Sequence, residues 1–529
     1  MNRNKIIIGL ILTISSLTLS SCLEETEPMG GTITSEQKSK VEAAVLATGV
    51  GLDAWMNNYN TLTLSSASHW DFGYPALMIQ RDLMGQDLAY NPLYSQWNSW
   101  YGVTIALGPD YTVSQFPWRW YYKWIFNANE LVTLVPDPDN ATPDIVAALG
   151  KAHFYRALAY FDLGRLYLKG SYANNPEGLT VPYVTEQTVD VANNPRQPAS
   201  ALYALILEDL DKAAIYLKNV PTSNKNVPTL AATYGLYARV YLEIGKWAEA
   251  EDYAKKAQAG FSPLTQSQWL DRKNGFNTPN NNSSWIWCTS VSKDNDVVKT
   301  GICNWTSFMS PEQYYGYNGP TTSSGFYIDR HLYDLIPETD FRKKSWKGPG
   351  IAVKDLESDF PDVGSLPNYS SFKFRTSQGN FDSYEVGSAS SVPLMRVEEM
   401  MLIEAEAAAR QSAARGKTLL DNFVRTYRNP AYSSDGSSSD LVVNEIWIQR
   451  RIELWGEGFA TFDIKRLNKG ITRSYTGTNH PTSKRFNTST SPDWMNYCIV
   501  RTEFNNNFSV LPDENNPAPT TPPDSDPAW

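Results

Sequence analysis

The chain has 529 residues, 56 acidic against 46 basic, and a formal net charge of −10 at pH 7. No basic block interrupts that excess, which excludes nucleic acid as an expected partner, and the length is enough for a large core. Aromatic residues make up 13 %, with 17 Trp and 30 Tyr; such rings join a flat apolar face to a polar handle and suit sugar rings, protein interfaces and ordinary cores alike.

The first segment reads as a secretory signal. Arg3 and Lys5 precede an apolar run from Ile6 to Leu12 and a Ser/Thr/Leu stretch to Leu19, too short to span a bilayer comfortably. The sequence Leu19-Ser20-Ser21-Cys22 resembles a bacterial lipobox, in which the Cys22 thiol takes a diacylglyceryl group and becomes the first residue after cleavage. Each buried methylene contributes about 0.8 kcal/mol, so two or three acyl chains make a lasting anchor. Glu24, Glu25 and Glu27 follow, similar to the acidic tract that accompanies surface export of Bacteroidetes-type lipoproteins. No later stretch has the apolar length of a membrane span, which leaves the lipid as the expected anchor.

Three further cysteines, Cys288, Cys303 and Cys498, are an odd number and argue against a disulfide framework. Cys288 with Cys303 is a pairing that an oxidising compartment would allow. No CxxC or His/Cys cluster points to zinc, and no EF-hand-like spacing supports calcium near the Asp-rich loops. No cofactor is expected.

Helical spacing begins at Ser35 and runs to Asn60, with Val41, Ala44, Val45, Thr48 and Leu52 on one face. Residues 61–115 read as loops, aromatics and short helical pieces. Long helices are expected over 116–135 and 145–168, ended by the Gly and Pro clusters of 170–198. An amphipathic helix over 199–220 closes at Pro221. Residues 229–260 then form a helical hairpin bent at Gly245. Its spacing resembles a tetratricopeptide repeat: Tyr234, Tyr237, Ala238 and Tyr241 on the first helix, Ala250 and Ala257 on the second. Ala254 stands where a large aromatic is more usual. Residues 261–392 show no sustained helical period and are rich in Gly, Asn, Ser, Pro and aromatics, as in a loop-rich insertion on a scaffold. Helices resume over 394–414, 419–428 and 443–455. The last 20 or so residues have the composition of a poorly ordered tail.

Four segments, in this order, resemble the SusD/RagB family of nutrient-binding lipoproteins. The first runs from Lys151 to Leu163 through Phe154-Tyr155-Arg156-Ala157 and Ala159-Tyr160-Phe161, followed by Val181-Pro182-Tyr183 after a turn lengthened by residues 171–179. The second is the repeat hairpin. The third is Leu394 to Ala407, with Arg396, Glu399, Leu402-Ile403 and Glu404-Ala405-Glu406-Ala407. The fourth is Glu445 to Phe459, with Arg450-Arg451-Ile452-Glu453-Leu454 and Glu457-Gly458, continuing through Phe462-Asp463 to Arg466. A weaker echo lies at Glu503 to Asn507. Arg156, Glu404, Arg450, Arg451, Glu453 and Asp463 sit in otherwise apolar helical faces, where charges are expected to pair and fix register.

The resemblance implies a mainly α fold: a tetratricopeptide-like scaffold over 35–60, 116–260 and 394–470, a loop-rich ligand-binding part over 61–115 and 261–393, and C-terminal loops and tail over 471–529, behind a signal peptide (1–21) and an anchored linker (22–34). It implies an outer-membrane, surface-exposed lipoprotein that hands oligosaccharides to a SusC-like TonB-dependent transporter and catalyses nothing. Oligopeptides are the alternative ligand within that role. A surface glycoside hydrolase is the alternative from another class, since such an enzyme needs only two well-placed carboxylates; scaffolding of other surface lipoproteins is a third. No GxSxG, HExxH, P-loop or GxGxxG stands in a fitting context. Two aromatic regions are candidates for the ligand site, His69 to Tyr101 and Trp285 to Tyr317. Within them Asp71, Arg81, Trp97, Trp100, Trp285 and Tyr315 are the expected contacts, rings to stack on sugar faces and charges to orient hydroxyls.

Overall fold

The computed structural model describes residues 34–62, 67–91, 95–319 and 325–520. The signal segment, Cys22 and the end of the tail lie outside the described residues. A one-turn helix, Ser35–Ser39, leads into α1 (Glu42–Trp55), so the helix expected over 35–60 is broken at Lys40 and Val41. Then come α2 (Tyr74–Leu83), α3 (Thr112–Leu134), α4 (Pro143–Tyr167), α5 (Ala199–Tyr216), α6 (Leu230–Glu243) and α7 (Trp247–Gln258). After the loop-rich stretch follow α8 (Val397–Gln411), α9 (Ala413–Tyr427), α10 (Ser439–Glu453), α11 (Ala460–Leu467) and the short α12 (Arg501–Asn506). Among the described residues, six short strands, β1 (Leu88–Tyr90), β2 (Leu179–Pro182), β3 (Arg196–Pro198), β4 (Trp285–Cys288), β5 (Phe326–Ile328) and β6 (Pro393–Arg396), pair antiparallel as β1–β5, β2–β3 and β4–β6. The fold is mainly α.

From α3 to α9 each helix packs on the next, and α1 lies across α3 and α4. The series is continuous because each helix has apolar residues on more than one face, which a solenoid of stacked pairs requires. In the α6–α7 hairpin Ala250, Ala254 and Ala257 have no accessible surface. Their small side chains let the two axes approach closely. Gly245 turns the chain between them at φ +75°, a conformation that suits glycine.

The charges embedded in the helical faces find partners. Arg156 binds Asp209 and Glu186, Arg450 binds Asp463, and Arg451 binds Asp87. Glu404 accepts from Gln258. Glu453 sits at the centre of an enclosed cluster, bound by Arg342 (3.0 Å), Arg396 (3.2 Å) and Arg428 (2.8 Å). Arg342 and Lys373 belong to the loop-rich stretch, and Lys373 reaches Glu457 at 2.6 Å. The Arg342 and Lys373 pairs therefore fasten that stretch to the end of α10 and the turn after it.

Two expectations are revised. Cys288 and Cys303 are both free: the Cys288 thiol points at the carbonyl of Lys225 and the side chain of Asn226, while Cys303 meets Tyr59. The C-terminal stretch is built into the fold as far as residue 520. Arg473, fully buried, donates to the carbonyls of Leu83, Gly85 and Tyr101, and the Asn516 amide donates to Tyr167 and Tyr497.

Candidate functional site

A groove of about 1190 Å³ is floored by the outer face of α3. It exceeds the range usual for drug-sized ligands. The floor follows from the sequence of α3. Phe116, Trp120, Tyr121 and Trp124 turn inward and are fully buried. Trp118, Tyr122 and Phe126 recur at i, i+4 and i+8, which on a helix stacks them along a second stripe. The Trp118 and Tyr122 rings lie 4.7 Å apart, and exposure rises along the stripe, from 5 % at Trp118 through the half-buried Tyr122 to 57 % at Phe126. An aromatic stripe about 12 Å long thus faces the groove.

Three walls rise beside it. The first is Asn58 to Leu62, just past α1. Here Trp55 stacks on Trp120 and its indole donates to the Trp120 carbonyl at 3.2 Å. The Tyr74 amide donates to the Met56 carbonyl at 2.8 Å. Gly73, at φ +87°, is required there, because a Cβ would stand 2.1 Å from that same oxygen. Asp71 closes the wall: its carboxylate accepts from the Thr61 hydroxyl at 2.7 Å and the Leu62 amide at 2.9 Å. Its backbone carbonyl accepts from Asn60, itself at φ +54°, a conformation that Asn tolerates better than most residues. Burial pushes the Asp71 carboxyl up, against the bonds from Leu62 and Thr61.

The second wall runs from Pro182 to Asn194. The Tyr122 hydroxyl donates to the Pro182 carbonyl at 2.7 Å, and the Asn129 amide to Val184 at 3.1 Å. The third wall is α12 with Asn507. Thr502 donates to Gln115 at 2.9 Å, Arg501 binds Asp110 at 2.7 Å, and Asn507 donates to the Asn194 carbonyl at 2.6 Å. Glu503 accepts from Asn507 at 2.8 Å. Burial pushes its carboxyl up, opposed by bonds from Asn507 and Trp118. The Arg501 hydrogen bond holds Asp110 low. Amides and hydroxyls dominate the walls, so the groove offers flat rings below and hydrogen-bonding groups at the sides.

The residues singled out from the sequence fall elsewhere. Trp97, Trp100 and Trp285 have no accessible surface, so they are core rather than ligand contacts in this conformation. Trp97 packs edge-on against Phe72 and Phe308, and Trp100 against Trp70. Trp285 pairs with Arg396 across β4 and β6. Arg81 is also enclosed, bound to Asp162 at 2.9 Å and sandwiched by Tyr74 and Phe462. The physical reason is common to all four: large rings and a long cation bury themselves when the surrounding helices and loops provide partners. Asp71 braces the groove wall from behind. Tyr315 alone is partly open, edge-on to Tyr384 at 6.3 Å, and does not line the groove.

The sequence reading missed Trp118, Tyr122 and Phe126. The available signal was their i, i+4, i+8 spacing on a helix whose other face was already filled by Phe116, Trp120 and Trp124.

Comparison with known proteins gives the same result from both ends of the chain. Residues 74–242 match a SusD-like family described as starch-binding and associating with the outer membrane, and residues 364–519 match the SusD family. The SusD-like protein P38 of Formosa agariphila is 23 % identical over 409 residues, 70 % of this chain and 75 % of that one. A SusD-like carbohydrate binding protein of Bacteroides vulgatus shares the fold with a TM-score of 0.71 at 21 % identity, covering 92 % of this chain and 99 % of that one. A structure described as a laminarin binding SusD-like protein aligns with a TM-score of 0.63 at 18 % identity, covering 90 % and 99 %. With two family matches in chain order, on the two halves of a mainly α scaffold whose charged pairs lie in the matched helices, the chain belongs to the SusD/RagB family.

Proposed function

We propose that the protein binds oligosaccharides along the α3 groove and passes them, uncleaved, to a SusC-like TonB-dependent transporter at the outer membrane, held at the surface by a lipid on Cys22. The observation that carries the reading is the aromatic stripe Trp118, Tyr122, Phe126, flanked by Asn58, Asn60, Gln115, Asn194 and Asn506. The CH faces of sugar rings pack on aromatic planes, while side-chain amides donate and accept across the hydroxyls. Family membership and the laminarin-binding relative support a glycan over a peptide.

Cleavage of the bound chain is a second reading with one observation in its favour. Asp110 and Glu503 both line the groove, one carboxyl held low and the other pushed up, the contrast that glycosidases use. Against it, both oxygens of Asp110 are taken by Arg501, at 2.7 and 3.3 Å. Calorimetric titration of the unlipidated chain (Cys22→Ser) with an oligosaccharide panel, followed by chromatography of the recovered ligand, separates the two. Saturable binding with intact ligand is expected; steady product release overturns the binding reading. Recovery of a barrel protein with tagged, lipidated chain from native outer membranes tests the transporter.

A further inference from the structure

Four charged residues line the groove: Asp110, Glu503, Arg119 and Lys123. The two acids are committed, Asp110 to Arg501 and Glu503 to hydrogen bonds from Asn507 and Trp118. The two cations are held more loosely. Arg119 and Lys123 lie one turn apart on α3, both exposed, and neither forms an ion pair among the described residues. The Arg119 guanidinium makes one long contact, 3.4 Å to the Leu62 carbonyl of the braced wall, and its charge acts on the Asp71 carboxylate behind that wall without forming an ion pair with it. The Lys123 ammonium rests over the Phe126 ring at 4.2 Å, so it is drawn over the aromatic stripe itself.

The setting gives these charges meaning. The chain carries a net −10, so an anionic polymer gains nothing from the long-range field and must be held by local contacts. Other cations close to α3 are matched by acids: Arg156 by Asp209 and Glu186, Lys38 by Glu130. An Arg and a Lys rooted about 6 Å apart along the helix axis, beside three rings, form a surface on which a sugar can stack while its charged substituent meets one donor or bridges both. Charge-assisted bonds of this kind are about twice as strong as neutral ones, and the planar fork of Arg fits a carboxylate or sulfate oxygen pair.

We propose, resting on the glycan-binding reading above, that the groove selects acidic glycans, with Arg119 and Lys123 receiving a uronate carboxylate or a sulfate ester on a sugar stacked over Tyr122 and Phe126. The test uses the unlipidated chain and matched probes: oligomers of pectate, alginate and a sulfated galactan, each beside its carboxyl-reduced or desulfated counterpart. At least one acidic oligomer is expected to bind roughly ten-fold tighter than its neutral counterpart. The Arg119→Gln, Lys123→Gln double variant, altered only at exposed positions, is expected to bring the pair to within about two-fold, as is 0.5 M salt. Which arm responds, carboxyl reduction or desulfation, identifies the anion. Neutral probes binding as tightly as acidic ones, or a preference that survives the double variant, overturns charge selection and leaves glycan binding standing. No binding by any probe, acidic or neutral, overturns both.

Discussion

Two populations of aromatic side chains occupy this protein, and they do different work. One gathers where residues 70–101 meet the loop-rich stretch: Trp70, Phe72, Trp97, Trp100, Phe308 and Phe326 contact one another edge-on or stacked and are almost wholly enclosed. The other is the stripe on the outer face of α3, where Trp118, Tyr122 and Phe126 line an open groove. Composition treats these rings alike. What separates them is their support: rings on irregular segments hold the segments together, whereas on a long helix anchored by its other side Tyr122 and Phe126 can stay open to the groove, with Trp118 nearly enclosed at their inner end. The binding proposed for the groove would need a rigid element behind it, and α3, packed on α1 and α4, supplies one.

Perturbing each population separately tests that contrast. The largest effect belongs to the enclosed side. Trp97→Ala is expected to cost about 3–5 kcal/mol of stability through the cavity it leaves, read as a shift in the urea midpoint, with the affinity of the folded protein for its glycan unchanged. Glu453→Gln leaves Arg342, Arg396 and Arg428 without their shared acid and is expected to cost a similar ~3–5 kcal/mol.

The same cluster sets the acid limb of stability. Burial would raise the Glu453 carboxyl, but Arg428, Arg396 and Arg342 outweigh it and hold the group well below the usual range. A carboxylate depressed in the folded state contributes stability that is fully present above its unfolded value, about 4.3, and is lost as pH falls through its lower folded value. Urea midpoints measured from pH 7 down to pH 3 are expected to fall most steeply below about pH 4, and to fall less steeply in Glu453→Gln.

Asp71 links the two populations, being buried yet bracing a groove wall. Asp71→Ala is expected to cost about 1–3 kcal/mol and also to weaken the ligand, because Thr61 and Leu62 lose their acceptor. An unchanged Kd would detach that wall from binding. The smallest change in stability is expected for Phe126→Ala, within about 0.5 kcal/mol, with affinity reduced by roughly 1 kcal/mol, or about five-fold. Calorimetry beside a thermal melt reads both.

The helical scaffold was legible in the sequence because its helices carry strong periods and clear ends. Pro143 opens α4, Thr229 caps α6 by accepting from Ala232, and the embedded charges that suggested register are paired as their positions implied. The break before α1 was not legible, since no Pro or Gly marks it, whereas the split between α8 and α9, expected over 415–418, falls at Ser412. The groove was half legible. Asp71 was singled out as a direct contact, and the structure gives it the role of a brace. Arg81, Trp97, Trp100 and Trp285 were chosen for residue type, and type alone does not tell an inward side chain from an outward one. The groove is made by α3 and by segments nearly 400 residues apart in sequence, Asp110 with Arg501 and Gln115 with Thr502, and only the folded chain brings them together.

A crystal structure of the chain with the oligosaccharide that titrates most tightly addresses the central claim directly. Sugar density stacked along Trp118, Tyr122 and Phe126, with hydroxyls on the wall amides, is the expected result. Density seated instead against Tyr315 and Tyr384, with the α3 groove empty, would contradict it.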